Sequence, residues 1–123
     1  VRYRRNFVPG GTFFFTLTLD DRRSSVLVEH VALLRAAFRR TRSDFFEDAI
    51  VILPDHLHTI LTLPPSDPDF SNRLRRIKGR FTRGVVAAGV AVSRDHRGEY
   101  SLWQKRFWEH TIRDDRDFER CVD

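Results

Sequence analysis

The sequence predicts an α+β domain: a ferredoxin-like βαββαβ antiparallel sheet with helices on one face, followed by a C-terminal helix. Three observations predict it. Runs rich in Phe, Thr, Ile and Leu alternate with segments of helical period in the order β-α-β-β-α-β-α. The second and third strands are joined by little more than Pro54-Asp55, so they must run antiparallel. At 123 residues, without repeats or low-complexity linkers, the chain is one domain able to bury a core.

The first strand is "GTFFFTLTL", residues 11–19, entered through Pro9-Gly10. After a polar break at 20–23, Ser24 or Ser25 can cap a helix reaching about residue 40, with Leu27, His30 or Val31, Leu34 and Phe38 on one face. "FFEDAIVILP" is a second strand, mostly apolar and therefore expected at the sheet centre. "HLHTILTL" is the third. The loop "PPSDPD" leads to a helix over about 71–88, with Phe70, Leu74, Ile77, Phe81 and Val85 on its inner face. "SRDHRGEYS" reads as a loop and "LWQKRFWEHTI" as the fourth strand. In "RDDRDFERCVD", Asp114 or Asp115 can cap a final helix, expected to continue past Asp123.

Composition narrows the function classes. No apolar run has the length of a membrane span and no signal-peptide pattern opens the chain, so a cytoplasmic protein is expected. A single cysteine, Cys121, excludes an internal disulfide and a Cys-rich zinc site. The net charge is +5, and 20 of the 22 basic residues are Arg. Arg grips phosphate with paired hydrogen bonds, although a GC-rich genome would raise its count equally.

The segment "LPDHLHTILTLP" raises the sharpest question. On a strand, His56 and His58 point to the same side, roughly 6.6 Å apart at Cα, while Leu57 points into the core. Two imidazoles so placed can converge on one metal ion at bonds of about 2.1 Å. The same pair can equally be surface histidines on an open sheet face. A metal site needs a third ligand, for which Glu109 and His110 at the end of the fourth strand are candidates. His96 reads as a solvated loop residue and His30 as a helix-edge residue.

Between Phe70 and Arg94 there are seven basic residues and no acid. Helical geometry is expected to leave Arg73, Arg76, Arg80 and Arg83 as an outer stripe beside Lys78. A solvated face normally mixes signs, so a one-sign stripe suggests phosphate contact. In "LWQKRFWEH", Lys105 and Arg106 alternate with aromatics, a combination that suits unstacked bases. Alternation sets Trp103, Lys105 and Phe107 against Gln104, Arg106 and Trp108, so one aromatic set must be core. Arg4 and Arg5 form a third basic patch near the N-terminus.

In "YRRNFVPGGTFFFTLTL", "AIVILPDHLHTILTLPP", "RIKGRFTR" and "WQKRFWEHTIRDDRDFERCVD", the chain resembles the REP-associated tyrosine transposases. These are relatives of the IS200-like single-strand transposases of the His-hydrophobic-His (HUH) superfamily. The resemblance covers nearly the whole chain in order. It implies that His56 and His58 hold a divalent ion, Mg²⁺ or Mn²⁺, that polarises a scissile phosphate of hairpin-forming single-stranded DNA. It implies a bacterial, nucleoid-associated setting and a tyrosine nucleophile on the final helix. The matching position falls just beyond Asp123, and neither Tyr3 nor Tyr100 fits it, so the chain as it stands is expected to bind DNA without cleaving it. The resemblance leaves monomer or dimer open. Three alternatives stand beside it: an inactive hairpin-binding relative, a metal-dependent nuclease using Glu109 or Asp55 to activate water, and a ferredoxin-like RNA-binding domain.

Overall fold

The computed structural model describes residues 11–41, 45–65 and 69–112, with residue 116. Four strands form one antiparallel sheet: β1 (Thr12–Thr18), β2 (Phe46–Ile52), β3 (His56–Thr62) and β4 (Trp108–Ile112), in the order β2-β3-β1-β4. Three helices, α1 (Val26–Glu29), α2 (Val31–Thr41) and α3 (Phe70–Ala87), complete the described fold. This is the α+β, ferredoxin-like arrangement that the element order predicts. The final helix expected after residue 113 lies outside the described residues.

Strand β1 alternates strictly. Phe13, Phe15 and Leu17 are fully buried on the helix side, while Thr12, Phe14, Thr16 and Thr18 face the other way. Phe70 at the head of α3 packs on this row, its ring centroid 4.9 Å from Phe13 and 5.2 Å from Phe15. The five apolar residues spaced along α3 are all fully buried, as their period requires. Asp69 caps α3, its side chain accepting from the Asn72 backbone N–H at 3.2 Å.

Three expectations need correction. The apolar segment 45–54 gives an edge strand, not a central one; Phe46 and Val51 of β2 are exposed. Its edge carries a register shift between Glu47 and Ala49, which leaves the acidic Asp48 outside the ladder, a device that blunts pairing with other chains. The helix expected over 24–40 is broken at His30 into α1 and α2, and the hydroxyl at its head that accepts a backbone N–H is Ser24, bonded to Val26 at 3.2 Å.

The fourth strand is shorter than the 102–112 expected. Continuing the β1–β4 register would set Leu19 opposite Lys105, yet Leu19 bridges Trp103. The outer segment therefore holds two extra residues relative to that register. Trp103 and Phe107 both turn inward, as alternation sets them, while the bulge leaves Lys105 of the same set exposed with Arg106. Trp108, beyond the bulge, emerges on the opposite face at 52% exposure.

Candidate functional site

Helices α2 and α3 pack together over one side of the sheet, and the site lies on the other. Strand β3 carries His56 and His58 to this helix-free face, opposite Thr18 and Thr16 of β1, while Leu57 is fully buried beneath. The two imidazole centroids are 5.1 Å apart, a separation from which both rings can reach one ion at bonds of about 2.1 Å.

Both rings are held by the same nitrogen. His56 Nδ1 lies 2.9 Å from Asp55 Oδ1, and the second Asp55 oxygen accepts from Arg22 Nε. His58 Nδ1 lies 2.8 Å from Thr16 Oγ1. Facing a carboxylate, His56 carries its proton on Nδ1, which leaves the Nε2 lone pair for a ligand. Neither Thr16 nor Arg22 stands out in the sequence, because both reach the site through strand pairing and chain reversal.

The electrostatics follow from these contacts. The Arg22 guanidinium, and after it His56, hold the Asp55 carboxyl down at about 2. Burial, and then the neighbouring His56, push His58 below the ordinary imidazole value. Both shifts favour a neutral imidazole at His58 and a charged carboxylate at Asp55.

The two candidate third ligands part company. Strand alternation puts Glu109 opposite Phe15, toward the helix layer, away from the histidines. His110 lies opposite Phe14 on the histidine face. Between the histidines stands an aromatic row: Phe14 stacks on His58 at 5.4 Å, meets Trp108 edge-on at 5.6 Å, and Trp108 stacks on His110 at 6.0 Å. Among the described residues, no three His, Cys, Asp or Glu converge as a metal cluster. The row was legible only in part: alternation puts Trp108 and His110 on one side of a strand, but the sequence does not reveal that Phe14 lies between them and His58.

The basic residues are spread more unevenly than an outer stripe. Arg76 and Arg83 are exposed on α3. Arg73 is buried, its Nη1 donating to the Asp69 carbonyl at 2.6 Å, because it precedes Ile77 by one turn on the inner face. Arg80 reaches back to Thr41 Oγ1 on α2 at 2.6 Å. Lys78 donates to the Gln104 carbonyl at 3.0 Å and lies 5.6 Å from the Phe107 ring centroid. Lys105 and Arg106 are exposed, and Arg4 and Arg5 lie outside the described residues.

No family model matches the chain. It is 39% identical over 125 residues to the REP-associated tyrosine transposase of Haemophilus influenzae, covering 98% of this chain and 71% of that protein. It is 42% identical over 123 residues to the REP-associated tyrosine transposase of Escherichia coli K12, covering 98% of this chain and 67% of that protein. A solved REP-associated tyrosine transposase bound to a REP hairpin superposes with a TM-score of 0.83 at 42% identity, covering 99% of this chain and 68% of that one. A Deinococcus radiodurans chain described as a transposase shares the fold at a TM-score of 0.62 and 20% identity, covering 98% of this chain and 92% of that one. An antiparallel α+β sheet with a His-Leu-His strand on its helix-free face defines a protein of the His-hydrophobic-His type. Within that class, the chain belongs to the REP-associated tyrosine transposase family.

Proposed function

We propose that this protein binds hairpin-forming single-stranded DNA and, with its family's tyrosine in place, cleaves and rejoins it. The observation that carries this reading is the pair His56 and His58, each with Nδ1 engaged, on the open face of a transposase-family sheet. These two residues would hold a divalent ion, Mg²⁺ or Mn²⁺. That ion would supply Lewis-acid polarisation of a phosphodiester oxygen.

The chain's own residues divide the remaining work. Asp55 and Thr16 fix the orientation of the two rings. The exposed cations of α3, with Lys105 and Arg106, attract the phosphate backbone. The nucleophile is a tyrosine oxygen that bonds to phosphorus on the 5′ side while the bond to the 3′ oxygen breaks, leaving a 3′ hydroxyl. Tyr100 does not serve: it lies beside α3 with Arg75 and Trp103, away from the helix-free face that carries His56 and His58.

The water-activating alternative finds less support. Asp55 is tied to Arg22 and His56 and held at about 2, which makes it a poor proton acceptor at neutral pH. Glu109 faces the helix layer.

The protein with its family's tyrosine in place, incubated with a labelled hairpin and Mn²⁺, should give a denaturation-resistant protein–DNA adduct. His58→Ala should abolish the adduct while leaving hairpin affinity within about threefold, since the basic surfaces supply most of the phosphate contacts in this reading. Cleavage without an adduct would favour water as nucleophile. Binding without any cleavage would favour the inactive hairpin-binding relative.

A further inference from the structure

Resting on that reading, we infer that a groove on the helix side of the sheet is the seat of the DNA phosphate backbone, separate from the histidine face. It lies between α3 and the segment 97–105 and encloses about 640 Å³. Arg75, Lys78, Arg83, Arg97 and Lys105 line it, against one acid, Glu99. Among the described residues Arg83, Arg97 and Lys105 form no ion pair with a carboxylate, and all three are exposed. Five cations gathered along one open groove repel each other, and a polyanion relieves that repulsion.

Two further features suit the groove to a ligand. A mid-helix glycine, Gly79, lines its wall, and a side chain there would meet the Arg83 guanidinium at 3.2 Å. Glycine at such a position weakens a helix relative to alanine, and here it gives Arg83 room to lie along the groove. The second feature is Trp103, which lines the groove as a buried side chain whose indole N–H has no acceptor among the described residues. A buried donor left without a partner is costly. The nitrogen is closed to solvent, so an acceptor in the groove reaches it only if Trp103 shifts.

The far wall is pre-formed rather than a loose loop. Arg94 and Tyr100 pair as an antiparallel bridge, and Ser101 N–H donates to the Ser93 carbonyl at 2.9 Å. Asp95 accepts from the backbone N–H groups of Arg97 and Glu99 at 2.8 and 3.0 Å. Gly98 takes the left-handed conformation, φ +81°, that closes the turn. Arg97 is thus presented from a fixed turn, which lowers the ordering cost of binding. The groove is also wired to the histidine strand: Gln104 N–H donates to the Thr18 carbonyl at 2.9 Å, and Thr18 pairs with His56. DNA held in the groove is held on the element that faces the metal ligands.

The shared chemistry is a phosphodiester chain, from either the hairpin stem or a single-stranded flank. The test is equilibrium binding of a labelled hairpin DNA of mixed sequence across a salt series, since phosphate contacts do not require a particular sequence. Arg97→Glu with Lys105→Glu is compared with Arg39→Glu with Arg40→Glu, an equal charge change on exposed positions of α2. The groove pair should lower affinity by about tenfold or more and reduce the salt slope by about two, while the α2 pair changes affinity by less than about threefold. Arg97→Gln with Lys105→Gln should act in the same direction and covers the case of a misfolded reversal variant. A penalty that persists on a blunt hairpin assigns the groove to the stem; one confined to DNA with a flank assigns it to the single strand. Equal effects of the two pairs, or none from the groove pair, overturn the groove alone. A protein that binds no hairpin at all overturns the reading of function and the groove with it.

Discussion

Asp55 touches both Arg22 and His56, and its carboxyl is held at about 2 rather than 3.8, first by Arg22 and then by His56. A carboxyl whose folded pKa is depressed adds stability that is complete above its unfolded value and is lost as pH falls through its folded one. The window here runs from about pH 4 down to about pH 2. Denaturant unfolding of the wild-type protein should therefore show a stability loss over that window, and Asp55→Asn should lack that component. Parallel pH profiles for the two proteins would show that the Arg22–Asp55–His56 chain does not couple to folding. His58 works in the opposite chemical sense. Its folded pKa is lowered by burial and by His56, so the neutral ring is favoured, and its contribution falls as acid protonates the unfolded chain first.

At the scale of elements, α3 was the most legible part of the sequence and also the source of one error. Its buried positions follow directly from the spacing of Phe70, Leu74, Ile77, Phe81 and Val85. The same arithmetic puts Arg73 one turn before Ile77, inside the stripe, but its charge suggested the outside. A long aliphatic stem and a nearby carbonyl made burial possible. Arg73→Ala should consequently cost about 1–3 kcal/mol of unfolding free energy, with little specific effect on DNA affinity, while Arg76→Ala should be close to neutral for stability. Chemical denaturation of both variants checks this; equal stabilities would return Arg73 to the surface. Strand β2 shows a different limit. An apolar run signals a strand but neither its cover nor its place in the sheet order, since Phe46 and Val51 are exposed, and the bulge at Asp48 is visible only once β3 is paired beside it. The fourth strand is shorter than expected for a related reason: regular pairing with β1 stops at Trp108, where two extra residues break the register, although Trp103 and Phe107 still lie inside and Trp108 outside as alternation sets them.

For the molecule as a whole, the division of the sheet into a helix-covered side and an open side was legible, because alternation in "TFFFTLTL" and "HLHTILTL" assigns each residue to a side. The aromatic packing that unites the covered side was not. Phe70 touches Phe13, Phe15 and Phe107, linking α3 to both β1 and the segment before β4. Phe70→Ala should cost about 3–5 kcal/mol, read as a lowered denaturant midpoint; a loss under about 1 kcal/mol would show that the helix layer is held elsewhere. No helix among the described residues is long and apolar enough to cross a membrane.

The two extra residues before β4 also bear on how such a protein changes over time. Trp103 and Phe107 anchor the segment in the interior, and Lys105 and Arg106 ride between those anchors without interior duties. Substitutions at these two positions leave the fold's foundations alone while altering what the surface offers to a nucleic acid. A library randomised at 105 and 106 would therefore begin from an already tolerant scaffold.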